Sequence, residues 1–107
     1  MEDLPILVVG DFDGTGGHEL LGRFGCDVET AHHGEEALLM VRSFHYDAVI
    51  LDIRLPDGDG IELIEWMQGR GLKTPVAVIT AHGNVETAVR ALKAGASEFR
   101  ITRDARS

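Results

Sequence analysis

Short apolar runs recur along the chain and predict the strands of a sheet. Residues 6–9, 48–51 and 76–79 are each four consecutive apolar side chains. Runs of this length are typical of strands that are buried on both faces, as in parallel sheets. Residues 28–31 and 98–101 are less apolar and predict two further strands, the second of them short. The pattern therefore predicts five strands.

The segments between these runs have the spacing of helices. Residues 35–44 place Leu38, Val41 and either Leu39 or His45 near one helical face. Residues 61–67 carry apolar side chains at helical spacing, namely Ile61, Ile64 and Met67. Residues 18–24 give at most a short helix, because the glycines around them lower helix propensity.

Residues 84–94 form the clearest predicted helix. Asn84 is a favourable N-cap, and Gly95 is a favourable stop. Between them lies an apolar stripe of the kind that usually faces a core, formed by Val85, Ala88, Val89 and Leu92. Strands and helices thus alternate along residues 1–107, which predicts a single α/β domain with a parallel sheet and right-handed crossovers.

Composition and charge narrow the possible functions. The net charge of −8 argues against direct nucleic-acid binding, which needs clustered lysine and arginine. No apolar run reaches the roughly 20 residues that cross a membrane. The N-terminus lacks the basic region of a signal peptide. Cys26 is the single cysteine, so no internal disulfide forms, and we expect a cytoplasmic protein.

Polar residues follow three of the predicted strands at the point where each ends. Gly10 and Asp11 follow the first run, Asp52 follows the third run, and Thr80 follows the fourth run. Ligands of open α/β sheets bind at the carboxyl ends of the strands. Two carboxylates there suit Mg²⁺. A carboxylate beside Mg²⁺ is also a possible nucleophile toward phosphorus, with a hydroxyl binding a phosphoryl oxygen.

The stretches that carry this pattern resemble the receiver domain of bacterial response regulators. They are ILVVGD (6–11), VETAHHGEEAL (28–38), YDAVILDIRLPDGDGIELI (46–64) and TPVAVITAHGNVETAVRALKAGASEF (74–99). The segment after Thr80 is most similar to receivers of the nitrogen-regulation type. The resemblance implies a flavodoxin-like open parallel five-stranded sheet, in which the strands, numbered along the chain, lie in the order 2-1-3-4-5.

The resemblance also implies the roles of individual residues. Asp52 corresponds to the aspartate that accepts a phosphoryl group from a sensor histidine kinase. Asp11, Asp52 and the backbone carbonyl of Arg54 correspond to the Mg²⁺ ligands. Thr80 and Phe99 correspond to the switch residues that change a partner surface. The resemblance also implies an output domain beyond the receiver.

Three features depart from the family pattern. Gly10 replaces the first residue of an acidic pair, so Mg²⁺ binding is expected to be weaker. Thr102 and Arg103 replace the usual Lys-Pro, so Thr102 supplies a hydroxyl but no charge. The sequence ends before the family's last helix. These departures leave two hypotheses: a phosphoacceptor receiver, or a pseudo-receiver that binds partners without being phosphorylated.

Other sites are less well supported by the sequence. The histidine spacings match no zinc motif. The glycine-rich residues 10–17 lack the ending of a P-loop, and the Asp-Gly repeat at 57–60 lacks the glutamate of a calcium loop. Without the last helix, one face of the sheet is covered only by the short first helical segment. Such a face exposes apolar strands, which predicts a homodimer through the first-helix face.

Overall fold

The computed structural model describes residues 4–10, 25–55, 58–80 and 83–101, and the fold is taken from these. Five strands form one parallel sheet, and two short strands form an antiparallel hairpin. In chain order the strands are β1 (Leu4–Val9), β2 (Cys26–Ala31), β3 (Ala48–Leu51), β4 (Arg54–Leu55), β5 (Gly58–Asp59), β6 (Val76–Thr80) and β7 (Glu98–Ile101). The sheet order is β2-β1-β3-β6-β7. With the β4–β5 hairpin set aside, this is the predicted order 2-1-3-4-5.

Three described helices lie close to the predicted ranges. They are α1 (Gly34–Ser43), α2 (Ile61–Gly69) and α3 (Val85–Ala94). The side chain of Asn84 accepts a hydrogen bond from the backbone of Thr87 at 2.8 Å, which confirms the predicted cap of α3. Gly95 ends α3 with a φ of 122°, a backbone conformation that favours glycine. The predicted helix at residues 18–24 and the chain beyond residue 101 lie outside the described residues.

One face of the sheet forms the core under the helices. The sheet register aligns Leu7, Val49 and Val76 in one row across β1, β3 and β6. A second row aligns Val9, Leu51 and Val78. All six side chains are buried and belong to one cluster with residues of the three helices. This burial of large aliphatic side chains is the main stabilising contribution to the fold.

The opposite face of the same strands is less completely covered. Ile6 is buried there, but Val8, Ile50 and Ile79 are only half-buried. Side chains alternate across a strand, so these residues point away from the core cluster. The segment predicted to cover this face, residues 18–24, lies outside the described residues. Self-association through this face stays a prediction.

The helices α1 and α3 correct two details of the sequence interpretation. In α1 the buried residues are Ala37 and Val41, whereas Leu39 is exposed and His45 lies beyond the helix and is exposed. In the apolar stripe of α3 the large side chains face outward, and only Ala88 lies toward the packed side. The larger members of the stripe are 81%, 44% and 50% exposed, at Val85, Val89 and Leu92 respectively.

Small side chains explain the orientation of α3. Ala91 is fully buried, and Ala88 and Ala94 on the same side of the helix are half-buried. Alanine allows a helix to approach its neighbours closely, so α3 packs through this narrow face. Helical periodicity identifies a stripe but does not determine which stripe packs inward.

The edge strand β2 is joined to the core by a buried tyrosine. The Tyr46 hydroxyl donates a hydrogen bond of 2.7 Å to Oε1 of Glu29 on β2. Burial raises the pKa of Tyr46 well above its ordinary value. The hydrogen bond to Glu29 and the negative charges of Glu29 and Asp27 raise it further. The neutral phenol is therefore the form that the fold stabilises.

We expect Tyr46→Phe to lower the free energy of unfolding by about 1 kcal/mol at neutral pH, because it removes this hydrogen bond. The folded-state pKa is raised, so the folded protein keeps its phenolic proton when the unfolded chain loses it. The tyrosine's contribution is therefore complete below pH 10.0, the ordinary pKa, and is lost as the pH rises above it. Urea denaturation between pH 7 and 11 measures both effects. An equally steep loss of stability above pH 10 in Tyr46→Phe would contradict the assignment.

Candidate functional site

Asp52 lies at the carboxyl edge of the sheet, directly after β3. Its backbone N–H donates a hydrogen bond of 2.9 Å to the carbonyl of Val9, so the ladder between β1 and β3 continues to this residue. Asp52 is half-buried. The hydrogen bonds between the strands thus fix the backbone position of Asp52. A reactive side chain needs a rigid support of this kind to keep its geometry.

Gly10 lies against Asp52 at the end of the neighbouring strand. Its N–H donates to the carbonyl of Ala31 at 2.8 Å, and its φ is 121°. A Cβ atom at this position would lie 2.7 Å from the Cβ of Asp52. A side chain at position 10 is therefore hindered by its backbone conformation and by the close approach of Asp52. The residue that replaces an acid of the family pattern is thus closely packed in this fold.

The β4–β5 hairpin follows Asp52 and brings the chain back against the backbone of Asp52 and Ile53. The N–H of Gly60 donates to the carbonyl of Ile53 at 2.8 Å. A Cβ on Gly60 would approach the Asp52 carbonyl oxygen to 3.0 Å. Gly60 therefore lets the start of α2 pack directly against the segment that carries Asp52 and the carbonyl of Arg54.

Asp59 fixes the end of this hairpin. Its Oδ1 accepts a hydrogen bond of 2.9 Å from the N–H of Ile61 at the start of α2. Its Oδ2 accepts a hydrogen bond of 3.0 Å from Nη2 of Arg90 on α3. One carboxylate thus joins the hairpin to two helices. An aspartate two residues before a predicted helix was a sequence signal for this cap. The partnership with Arg90 had no signal in the sequence.

Thr80 and Phe99 lie on the strands beyond β3. Thr80 ends β6 and is 2% exposed. Phe99 on β7 pairs with Val78 and is half-buried. A Cβ on Gly83 would lie 2.7 Å from Cζ of the Phe99 ring, so the segment leading into α3 packs closely on this aromatic side chain. Phe99 therefore packs against Gly83, two residues before the start of α3.

The structure brings some of the predicted site residues to one edge and does not describe others. Asp52 and Thr80 lie at the carboxyl ends of two adjacent strands, as predicted, and Gly10 follows β1 on the other side of β3. Asp11 and Thr102 lie outside the described residues. Within the described ranges, no group of three histidine, cysteine, aspartate or glutamate side chains is placed to hold a metal ion. Of the predicted Mg²⁺ ligands, Asp52 and the backbone carbonyl of Arg54 lie among the described residues, and both offer the hard oxygen donors that suit this ion. Their role as ligands stays a prediction.

Comparison with known proteins decides the family. The profile of the response regulator receiver domain matches residues 6–101. The chain belongs to this receiver family. It is 44% identical over 79 residues to the response regulator protein PilR of Pseudomonas aeruginosa, an alignment that covers 74% of this chain and 18% of PilR. The receiver chain thus spans about a fifth of that relative's length.

Solved receiver structures share the fold. The beryllofluoride-activated NtrC4 receiver domain dimer is 33% identical, with a TM-score of 0.83 over 94% of this chain and 85% of that chain. A response regulator from Burkholderia pseudomallei, solved with a phosphorylated aspartic acid and a calcium ion, is 27% identical. Its TM-score is 0.85 over 95% of this chain and 61% of that chain. NtrC4 bears the name of the nitrogen-regulation type, to which the sequence was found most similar.

Within the described residues, no helix of the receiver is long and apolar enough to cross a membrane.

Proposed function

We propose that this receiver accepts a phosphoryl group on Asp52 from a sensor histidine kinase, in the presence of Mg²⁺. The observation that carries the proposal is the grouping at the carboxyl edge of the sheet. There a half-buried carboxylate on a fixed backbone lies one strand away from the buried hydroxyl-bearing residue Thr80. A receiver that resembles this one in fold was solved with a phosphorylated aspartic acid.

Each residue has a defined task in the proposed reaction. A carboxylate oxygen of Asp52 forms the new bond to phosphorus, while the bond between phosphorus and the kinase histidine breaks. The Thr80 hydroxyl donates a hydrogen bond to a phosphoryl oxygen. When bound, Mg²⁺ neutralises charge on the phosphoryl oxygens. Asp11, Asp52 and the Arg54 carbonyl would hold it. Thr102 stays a predicted contact to the phosphoryl group, in place of a lysine.

The direct test is incubation with acetyl phosphate and Mg²⁺, followed by intact mass measurement. A gain of one phosphoryl group that requires Mg²⁺ supports the phosphoacceptor. The absence of any gain at high donor and Mg²⁺ concentrations supports the alternative, a pseudo-receiver that binds partners without phosphorylation. Gly10 favours this alternative, because the carboxylate that the family pattern has at this position is missing from the proposed Mg²⁺ site.

We expect Thr80→Ala to slow phosphorylation about tenfold or more, because the phosphoryl oxygen loses a donor that is preorganised in a buried site. Thr80→Ser keeps the hydroxyl and serves as the matched control. Initial rates with acetyl phosphate at saturating Mg²⁺ measure the effect. Equal rates for the alanine and serine variants would remove the Thr80 hydroxyl from the mechanism.

Phosphorylation is proposed to change a partner surface through Thr80 and Phe99. Phe99 packs on Gly83 just before α3, so a shift of the ring changes the space available to the start of this helix. The outward face of α3 and the adjacent Ile101 are apolar and exposed, as a surface for an output domain requires. The output domain itself would come from a longer protein, as the length of PilR indicates.

We expect the chain to self-associate through the first-helix face, where Val8, Ile50 and Ile79 are half-buried. Sedimentation velocity over a wide concentration range measures the association. Val85→Asp on the outward face of α3 is the control and should leave the association unchanged. Loss of the dimer in Val85→Asp would place the interface on α3 instead. A monomer at every concentration would exclude both.

A further inference from the structure

An ion pair joins the β4–β5 hairpin to α3. Nη2 of Arg90 on α3 donates a hydrogen bond of 3.0 Å to Oδ2 of Asp59 on β5. The other carboxylate oxygen of Asp59, Oδ1, accepts a hydrogen bond of 2.9 Å from the N–H of Ile61 at the start of α2. The Asp59 side chain is therefore held from two sides, and the position of the hairpin depends on both helices.

The residue that pairs with Asp59 across the hairpin is Arg54, whose backbone carbonyl is a predicted Mg²⁺ ligand. The N–H of Gly60 donates to the carbonyl of Ile53, so these two residues form a hydrogen-bonded pair of the antiparallel ladder. Hydrogen-bonded and non-hydrogen-bonded pairs alternate along such a ladder, so the carbonyl of Arg54 points away from β5. This carbonyl is thus directed off the hairpin, and its position follows that of Asp59.

The helix that carries Arg90 also begins next to the proposed switch. It starts two residues after Gly83, which packs closely on the Phe99 ring. A displacement of α3 at the switch therefore changes the distance between Arg90 and the hairpin. The contacts from Phe99 through α3 to Asp59 form a continuous physical connection between the switch and the backbone of the predicted metal site.

We propose that Asp59 and Arg90 are positioning residues for Mg²⁺, and that their ion pair couples α3 to the metal site. The inference rests on the proposed function, in which the Arg54 carbonyl binds this ion. With the pair intact, α3 holds the hairpin and keeps the carbonyl in place. Without the pair the hairpin moves more freely, and Mg²⁺ binds more weakly. Because coupling between two sites is reciprocal, bound Mg²⁺ in turn restrains α3.

Arg90→Gln separates this role from a simple effect of charge. Removing a positive charge by itself favours the binding of a cation. Loss of positioning has the opposite effect, and we expect the Mg²⁺ dissociation constant to rise about threefold. The rise is modest because the Arg90 side chain is 57% exposed. Calorimetric titration with magnesium chloride, without any phosphodonor, measures this constant for the unaltered chain and the variant.

Matched variants isolate the ion pair. Asp59→Asn keeps an oxygen that can accept from Ile61 but places an amide nitrogen opposite Arg90, so it should also weaken Mg²⁺ binding. The double variant should bind little more weakly than Asp59→Asn alone, because both changes remove the same contact. Arg90→Lys should restore part of the affinity. Lys93→Gln removes the same charge from an exposed position on α3 and should not weaken binding.

Hydrogen exchange gives a readout of α3 that does not depend on phosphorylation. Mg²⁺ should slow amide exchange in the hairpin and in α3 of the unaltered chain, and only in the hairpin of Arg90→Gln. Equal slowing of α3 in both proteins, or Mg²⁺ binding that Arg90→Gln leaves unchanged or strengthens, would overturn the proposal.

Phosphoryl incorporation from acetyl phosphate tests the proposed function separately. Weaker Mg²⁺ binding in Arg90→Gln supports the coupling even if the unaltered chain gains no phosphoryl group. Normal incorporation together with unchanged Mg²⁺ binding in Arg90→Gln rejects the coupling and leaves the proposed function in place. A failure of the unaltered chain to bind Mg²⁺ would overturn both.

Discussion

Asp52→Asn is expected to abolish all phosphoryl incorporation from acetyl phosphate. The amide has nearly the size of the carboxylate, so the position after β3 is kept. It lacks the anionic oxygen that attacks phosphorus, however, and it is a poorer ligand for Mg²⁺. Intact mass of the variant, measured with donor and Mg²⁺ at the concentrations that saturate the unaltered chain, gives the result directly.

Asp47→Asn is the matched control for this experiment. Asp47 is exposed and lies just before β3, at the opposite end of the strand from Asp52. Its replacement should leave the mass gain unchanged. If Asp52→Asn still gains a phosphoryl group and the fold is intact by circular dichroism, another side chain is the acceptor and the proposed site is wrong.

Gly10→Ala is expected to lower the free energy of unfolding by about 2–5 kcal/mol, the largest effect on stability that we predict for a single methyl group. An L-residue at a positive φ costs about 1–2 kcal/mol. Overpacking against Asp52, whose Cβ would lie 2.7 Å from the new one, adds a further 1–3 kcal/mol. Urea denaturation followed by Trp66 fluorescence measures the change.

Gly25→Ala separates the two causes. Gly25 also has a positive φ, of 79°, but a Cβ there would meet no atom within 4 Å. Its replacement should cost only about 1 kcal/mol. Similar losses at both positions would mean that the contact with Asp52 relaxes easily. In that case Gly10→Asp would be a practical way to restore the missing carboxylate and strengthen Mg²⁺ binding. If Gly10→Ala costs clearly more stability than Gly25→Ala, Gly10→Asp would not be practical, because the added side chain would destabilise the fold.

The sheet and its carboxyl edge were predictable because both depend on local sequence. Apolar runs at residues 48–51 and 76–79 are long enough to be strands and too short to be helices. Asp52 follows the first run and Thr80 ends the second, so parallel pairing of these strands places them at one edge. The order of the strands in the sheet came from the resemblance to receivers and was confirmed by the structure.

The missed features depend on contacts between distant residues. The β4–β5 hairpin has two-residue strands, which are too short for an alternating pattern to reveal. The outward stripe of α3 was wrongly assigned because the packing of Ala91 against the core decides the rotation of the helix. The conformation of Gly10 follows from the approach of Asp52, which is 42 positions away in the sequence. Such contacts leave no local signal.

The position of β7 at the edge of the sheet has a consequence for slow motions. Among the strands of the described ranges, β7 pairs with β6 alone, and three of its four side chains are exposed. Backbone amides there can exchange with solvent through a local opening that breaks one ladder, whereas those of the central strand β3 require opening of the core. Hydrogen exchange in β7 should therefore be faster than in β3. Phe99 lies on this strand, so the side chain predicted to be a switch belongs to an edge of the sheet that can rearrange without opening the core.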